Sequence, residues 1–360
     1  MQKPLVSVLC PSYNHEKYVK FFIESLLTQT NPNWELIIVD DCSTDNNVNE
    51  IKKFKDKRIK LIQHDFNMGI TCGLNDAIKF AHGDYISLCA SDDILLPDYI
   101  DYVICAFKNN PKKDIIYFDL KQIDDKNKVI KRDILKNIKA DKNTIIRHLF
   151  MFGNCLLSPG MVVRANVFKT IIPFNISLSL YHDYKMHIDL LLNHDFMVAD
   201  GFHLYYRKPN KKSGISFFSE KTLRIGKLEE SVLMDSFLKI KNTKVLQDIF
   251  NGDLDEFGEI SDNLIPFVLG MLALRTNVEY KQVWGYSHVS SFINNIQNYK
   301  LLNKKCGFCY RDFLNLSSYF GINPIKKKYL KYKKLFNILL IFAIFLLFFV
   351  AYMSIMRGVI

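Results

Sequence analysis

The sequence is short of charge and of paired cysteines, and each shortage excludes something. Charged residues make up 24% of the 360 positions against 49% hydrophobic, which is too apolar a balance for a disordered chain. The eight cysteines are scattered, several of them inside apolar runs. The one CxxC, Cys306-Gly-Phe-Cys309, has no second pair at zinc-site spacing, so a metal or redox role there is the lesser reading. No secretory leader separates Met1 from the apolar stretch at Leu5–Leu9. The expectation is a reduced, cytoplasmic main body in which the cysteines serve as small buried hydrophobes.

What is present begins with an excess of positive charge, a formal +11. It predicts an anionic partner and does not by itself choose among nucleic acid, anionic lipid and a phosphorylated substrate. The length leaves room for one large domain or two of ordinary size. Leu5–Leu9 reads as a strand that Pro11 brings to a stop, since proline cannot donate to a ladder. Helical spacing follows over Glu16–Gln29, with Phe22, Leu26 and Leu27 on one side. Glu35–Val39 and Ile59–Ile62 read as further strands, with a helix carrying Ile51 and Phe54 between them. A helix through Leu74, Ala77 and Ile78 leads to Gly83, then to a buried strand over Tyr85–Cys89. Continuous apolar strands alternating with helices predict an α/β fold whose mostly parallel sheet is covered on both faces.

In such sheets ligands bind outside the carboxyl ends of the strands, and the polar clusters at 11–14, 40–45 and 91–93 all fall there. Asp92 and Asp93 are adjacent carboxylates that raise each other's pKa. A divalent cation held by oxygen ligands, and carrying substrate phosphates, would remove that cost. On their own the two could equally cap the helix that follows. Three clusters on one edge indicate a site.

The pieces Val6-Ser-Val-Leu-Cys-Pro-Ser-Tyr-Asn14, Ser25-Leu-Leu-Thr-Gln29, Trp34 through Asp45, Asn67-Met-Gly69 and Gly83 through Pro97 resemble, in order and spacing, the nucleotide-sugar-binding half of the family 2 glycosyltransferases. The resemblance is good over roughly 1–120, fair to about 216 and absent beyond. It implies a Rossmann-like GT-A fold and an inverting, metal-dependent transfer from a nucleoside-diphosphate sugar, of the hexosyl or N-acetylhexosaminyl class. Pro11, Tyr13, Asn14, Asp41 and Asp92 would then form the donor site, Tyr13 packing on the base and Asp41 accepting its ring N–H. Asp92 and Asp93 would hold the ribose and the cation, Mn²⁺ or Mg²⁺. The chain departs from the family's habit at Ala90, where an earlier Asp is frequent, and at Leu74, where a basic residue is common.

The resemblance carries the acceptor half and the base to 121–218. Lys121–Asn143 reads as a solvated excursion and Gly153–Arg164 as a strand returning to the site. Asp183, before an apolar helix at Ile188–Leu192, occupies the position of the family's base, which deprotonates the acceptor hydroxyl. A plain helix cap is the alternative for it. His182 stands where the family usually has Glu. Leu204–Arg207 resembles the closing strand, with Pro209 where a His is frequent, so any clamp on the diphosphate falls to Arg207, Lys211 or Lys212. His187 reads as a packed side chain.

Residues 219–323 are helical and show no catalytic constellation. The segment 324–334 carries six lysines, and 335–356 is interrupted only by Asn337 and Ser354. That run of ~22 residues would reach ~33 Å as one transmembrane helix, enough to cross a bilayer. The lysines put its start, and the catalytic domain, on the cytoplasmic side of the inner membrane. The expected partners are the nucleoside-diphosphate sugar, a glycan or lipid-linked saccharide acceptor and membrane lipids, with no nucleic acid. A sugar-phosphate nucleotidyltransferase is excluded by Pro11-Ser-Tyr-Asn14, which is no Gly-rich phosphate loop. A catalytically silent scaffolding relative stays open through Ala90, Leu74, His182 and Pro209, against which Asp41, Asp92, Asp93 and Asp183 all remain.

Overall fold

The computed structural model describes residues 6–130, 136–137, 139–208, 219–320 and 332–333. The chain forms two units, Met1–Cys306 and Gly307–Ile360. The first is built on a sheet of eight strands: β1 (Val6–Ser12), β2 (Trp34–Asp40), β3 (Ile59–Gln63), β4 (Tyr85–Leu88), β5 (Ile94–Leu95), β6 (Ile115–Ile123), β7 (Val162–Arg164) and β8 (Phe196–Arg207). Their order is β3-β2-β1-β4-β7-β6-β8-β5. The first three pair in parallel, as do β1 with β4 and β6 with β8, while β7 and β5 run antiparallel to their neighbours.

Helices α1 (Val19–Leu27), α2 (Asn47–Lys52), α3 (Ile70–Ala77), α4 (Tyr99–Asn109), α5 (Lys142–Met151), α6 (Ala165–Phe168) and α7 (His182–Leu191) connect the strands. Val8, Leu36 and Ile38 on the sheet bury against Phe22 and Leu26 of α1 and Val103 of α4, all fully enclosed. Each such side chain contributes roughly 1.5–3 kcal/mol on burial, which holds α1 and α4 against the sheet. Beyond the sheet come α8 (Glu220–Leu233), α9 (Thr243–Phe250), α10 (Ile265–Leu274), α11 (Glu279–Asn294) and α12 (Ile296–Cys306). In the second unit the described residues hold α13 (Tyr310–Asn315) and a 3₁₀ turn over Leu316–Tyr319.

Three expectations are corrected here. Pro11 does not end β1, which pairs with β2 as far as Ser12. The carbonyl of Leu9 accepts from Cys89 on the β4 side, and by the two-residue period Pro11 faces that same side. The β4 pairing stops at Leu9, so the donor that proline lacks has no ladder to leave. The expected excursion at 121–143 is partly core: β6 continues to Ile123, and Asn137 is buried, its N–H donating to Asp119 and its amide to the Phe118 carbonyl. The returning segment is a strand only over Val162–Arg164. The polybasic segment 324–334, but for Tyr332 and Lys333, and the expected span 335–356 lie outside the described residues. Among the described residues no helix is long and apolar enough to cross a membrane.

Candidate active site

The carboxyl ends of β1, β2 and β4 come together as the sequence predicts, joined by polar side chains. Asn14, in the left-handed region at φ 55°, takes Thr44 N–H on its side-chain oxygen at 2.8 Å and gives its own N–H to Ser43 Oγ at 2.9 Å. Asn47 bridges Ser12 and Asp40 from below, at 2.9 and 2.7 Å. The loops after β1 and β2 therefore form one rim, on which the Tyr13 ring stands 43% exposed.

Asp41 follows β2 and is buried. Its carboxylate accepts the N–H groups of Met68 (2.7 Å) and Gly69 (2.8 Å) and lies 2.8 Å from Nδ1 of His64. The other ring nitrogen of His64 faces Asp76 at 3.0 Å. Asp41 is thus already the anchor of the loop before α3, and Phe66 and Met68 stand exposed beside it. Leu74 is buried, so that position offers no contact to a ligand.

The two carboxylates after β4 have different surroundings. Asp93 is 1% exposed; Oδ1 accepts the Arg207 N–H at 2.9 Å and Oδ2 has no partner among the described residues. Burial first, then the neighbouring Asp92 charge, pushes the Asp93 carboxyl well above the usual range. The side chain of Asp92 keeps 16% of its surface, and its Oδ2 lies 4.0 Å from Nε2 of His15. The Ser91 hydroxyl donates to Ser12 at 2.8 Å and so accepts from Nδ1 of His15 at 2.7 Å. His15 thus ties the loop after β1 to the loop after β4 and sets its other ring nitrogen toward the Asp92 carboxylate. His15 escaped sequence reasoning because nothing in the pattern links it to Ser91, 76 positions on.

Arg207 is an internal clamp and is not free for a ligand. Its guanidinium donates to the carbonyls of Asp92 (2.7 Å) and Asp124 (2.6 Å) and to Asn127 Oδ1 (2.6 Å), and lies over the Tyr18 ring at 4.7 Å. Tyr18 in turn donates to Asp125, and burial with that bond pushes its phenol up to about 12. Lys211 and Lys212 lie outside the described residues.

Asp183 reaches the same edge from the other half. It is the second residue of α7, whose cap position is held by Tyr181 with no side-chain bond, so it is not the helix cap. Its Oδ1 accepts Tyr184 N–H at 2.7 Å and its Oδ2 the Ser158 hydroxyl at 3.2 Å. Two residues on, Gly160 gives its N–H to the Leu88 carbonyl at the end of β4 and takes the Tyr99 hydroxyl on its own carbonyl, at 2.8 and 2.7 Å. Gly160 has φ +71°, a conformation that favours glycine, and a Cβ there would sit 2.8 Å from Leu204 Cδ2 and push that side chain aside. His187, one turn after Asp183, is fully buried with Nδ1 3.0 Å from the Tyr117 hydroxyl. Among the described residues no group of three or more His, Cys, Asp and Glu side chains forms a metal centre. All eight cysteines are free.

Residues 7–172 match the profile of Glycosyl transferase family 2. An uncharacterized glycosyltransferase of Methanocaldococcus jannaschii is 32% identical over 230 residues, covering 62% of this chain and 77% of its own length. The chain belongs to glycosyl transferase family 2. A second relative is the Escherichia coli UDP-Glc:alpha-D-GlcNAc-diphosphoundecaprenol beta-1,3-glucosyltransferase, 40% identical over 111 residues. That match covers 31% of this chain and 44% of the enzyme, so it spans less than half of that relative. The crystal structure of Staphylococcus aureus TarS 1-349 in complex with UDP-GlcNAc superposes with a TM-score of 0.57 at 20% identity, over 79% of this chain and 89% of that one. The fold is the GT-A fold of the family, and the protein is a glycosyltransferase related to those of bacterial cell-surface glycan synthesis.

Proposed function

We propose that the chain transfers a hexosyl or N-acetylhexosaminyl unit, with inversion, from a UDP-sugar to a hydroxyl of a lipid-linked saccharide or growing surface glycan. The observation that carries this reading is the hold on Asp183. Ser158 fixes its carboxylate on a segment that bonds directly to the end of β4, the strand whose next loop presents Asp92. A base and a diphosphate site on one sheet edge are what an in-line displacement needs. The donor's base is taken as uracil because the E. coli relative is named for UDP-Glc and TarS was crystallised with UDP-GlcNAc.

On this reading Tyr13 stacks on the base, and Asp41 holds the 67–69 loop around it while keeping lone-pair capacity for a ring N–H. Pro11 and Asn14 shape the wall. The implied cation fits the donor set: the Asp92 carboxylate keeps part of its surface at the loop after β4, with a His15 ring nitrogen 4.0 Å away, and magnesium or manganese takes few protein ligands when a diphosphate supplies the rest. Asp92 would hold the cation, with His15 beside it, and the cation would offset the charge of the departing diphosphate. Asp93 supports the loop from within, through Arg207. Asp183 takes the proton from the acceptor oxygen as that oxygen bonds to the anomeric carbon and the bond to the diphosphate breaks. The side opposite the leaving group is attacked, which gives inversion.

The lysine-rich 324–334 and the apolar 335–356 favour a site held at the cytoplasmic membrane face, near anionic headgroups and pyrophosphate-linked lipids. The test is transfer or hydrolysis of UDP-glucose and UDP-N-acetylglucosamine with Mn²⁺. Activity reduced by about 10²–10⁴ in Asp183→Asn, with UDP binding retained, supports the reading. UDP binding without any turnover in the wild type would refute it.

A further inference from the structure

The helices after the sheet carry no recognisable chemistry, yet one of them reaches the residue proposed as the base. Glu229 of α8 is 6% exposed. Its Oε1 accepts the N–H and the hydroxyl of Ser179, each at 2.7 Å, and its Oε2 accepts the N–H groups of Leu180 (2.8 Å) and Tyr181 (2.7 Å). These are the three residues immediately before α7. Tyr181 holds the cap position of that helix without a side-chain cap bond, and the distant carboxylate ties down its N–H together with the two residues before it. Carboxylate acceptors make the stronger class of hydrogen bond, and a negative charge at a helix N-terminus is favoured by the helix dipole.

Two neighbours fix α8 in place. Gly226, one turn before Glu229, admits the Tyr181 ring: a Cβ there would lie 3.0 Å from its hydroxyl. Glu230 forms an ion pair with Lys281 of α11 at 3.2 Å, both side chains buried, and Lys281 also donates to the Phe150 carbonyl at 2.7 Å. The adjacent Leu149 carbonyl accepts the hydroxyl of Tyr184, the residue after Asp183. The path from α11 through α8 to Asp183 is continuous.

We propose that Glu229 is the positioning residue for Asp183, so that α8 sets where the base stands relative to the donor's anomeric carbon. The proposal rests on the reading of Asp183 as the base. Glu229 itself touches no substrate. A glutamine there would turn an NH₂ group against donors, losing bonds on one side of the carboxylate while keeping the shape. Displacing a catalytic group by about 1 Å is enough to cost on the order of a hundredfold in rate.

The full chain would be compared with its Glu229→Gln and Glu229→Asp variants in three measurements. These are UDP binding with Mn²⁺ by calorimetry, hydrolysis of UDP-glucose and UDP-N-acetylglucosamine, and amide hydrogen exchange over residues 179–184. Glu229→Gln is expected to bind UDP within about twofold of the wild type, to hydrolyse the donor about a hundredfold more slowly, and to exchange faster at Ser179, Leu180 and Tyr181 while β1 to β4 stay protected. Glu229→Asp, which keeps the charge, should recover part of the rate. Unchanged hydrolysis in a variant whose 179–181 amides exchange faster would overturn the proposal, as would unchanged exchange. A wild type that binds no UDP would refute the functional reading instead, and the exchange measurement would still decide whether Glu229 orders the start of α7.

Discussion

The backbone N–H of Arg207 donates to Oδ1 of Asp93 at 2.9 Å, and the same arginine's side chain returns to the Asp92 carbonyl at 2.7 Å. The last residue of β8 thereby holds both aspartates of the acidic loop that leaves β4. Three branches of the guanidinium are used, on acceptors that diverge in direction. A lysine keeps the charge and cannot make that fork. Arg207→Lys should therefore cost roughly 3 kcal/mol, the loss of hydrogen bonds from a buried charged donor. Denaturant unfolding of the two proteins measures it; a loss below about 0.5 kcal/mol, the usual scale of surface changes, would remove the clamp from the account.

Asp183→Asn removes a proton acceptor and leaves the fold's bonds largely in place. Turnover of the UDP-sugar should fall by about 10²–10⁴, the usual span for general-base loss, with UDP affinity unchanged. Loss of both together in a folded protein would mean that Asp183 serves structure.

Gly160→Ala tests the segment that carries Ser158 to the end of β4. The positive φ and the contact with Leu204 each oppose a Cβ. The backbone part alone should cost on the order of 1–3 kcal/mol. Stability should fall and turnover should fall further than UDP binding, because the Ser158–Asp183 bond moves with the loop. A stable variant with normal turnover would contradict this.

Burial holds the His187 imidazole down at about 4, against the ordinary 6.5. Between those two values the unfolded chain takes up a proton that the folded chain refuses. Stability contributed by neutral His187 is thus complete above the ordinary value, declines as pH falls through this window and levels off below about 4. The decline attributable to this residue is on the order of 3 kcal/mol. His187→Gln should lose that part of the slope. Parallel pH profiles of unfolding free energy for the two proteins would show the residue to be inert.

Much of this was legible in the sequence for identifiable reasons. The strands at β1, β2 and β4 are unbroken apolar runs, and Asp41, Asp92 and Asp93 stand at their carboxyl ends, where the fold class alone predicts a site. The end of β1 was misjudged because proline's missing donor matters only where a neighbouring strand would receive it, and β4 has already turned away. The segment 121–143 looked solvated by composition, since nothing local reveals that Asn137 fills a buried gap beside Asp119. Arg207 read as a ligand-binding charge because its acceptors are carbonyls from distant loops. Glu229 was invisible for the same reason: three of its four partners are backbone groups, 48 to 50 positions away.

A UDP-sugar site with a cation at Asp92 stands or falls on calorimetry of UDP against the full chain, with and without Mn²⁺. Binding that requires the metal, disappears in Asp92→Asn and survives in Asp183→Asn is the predicted result. Equal binding with and without metal, or binding indifferent to Asp92→Asn, would contradict it.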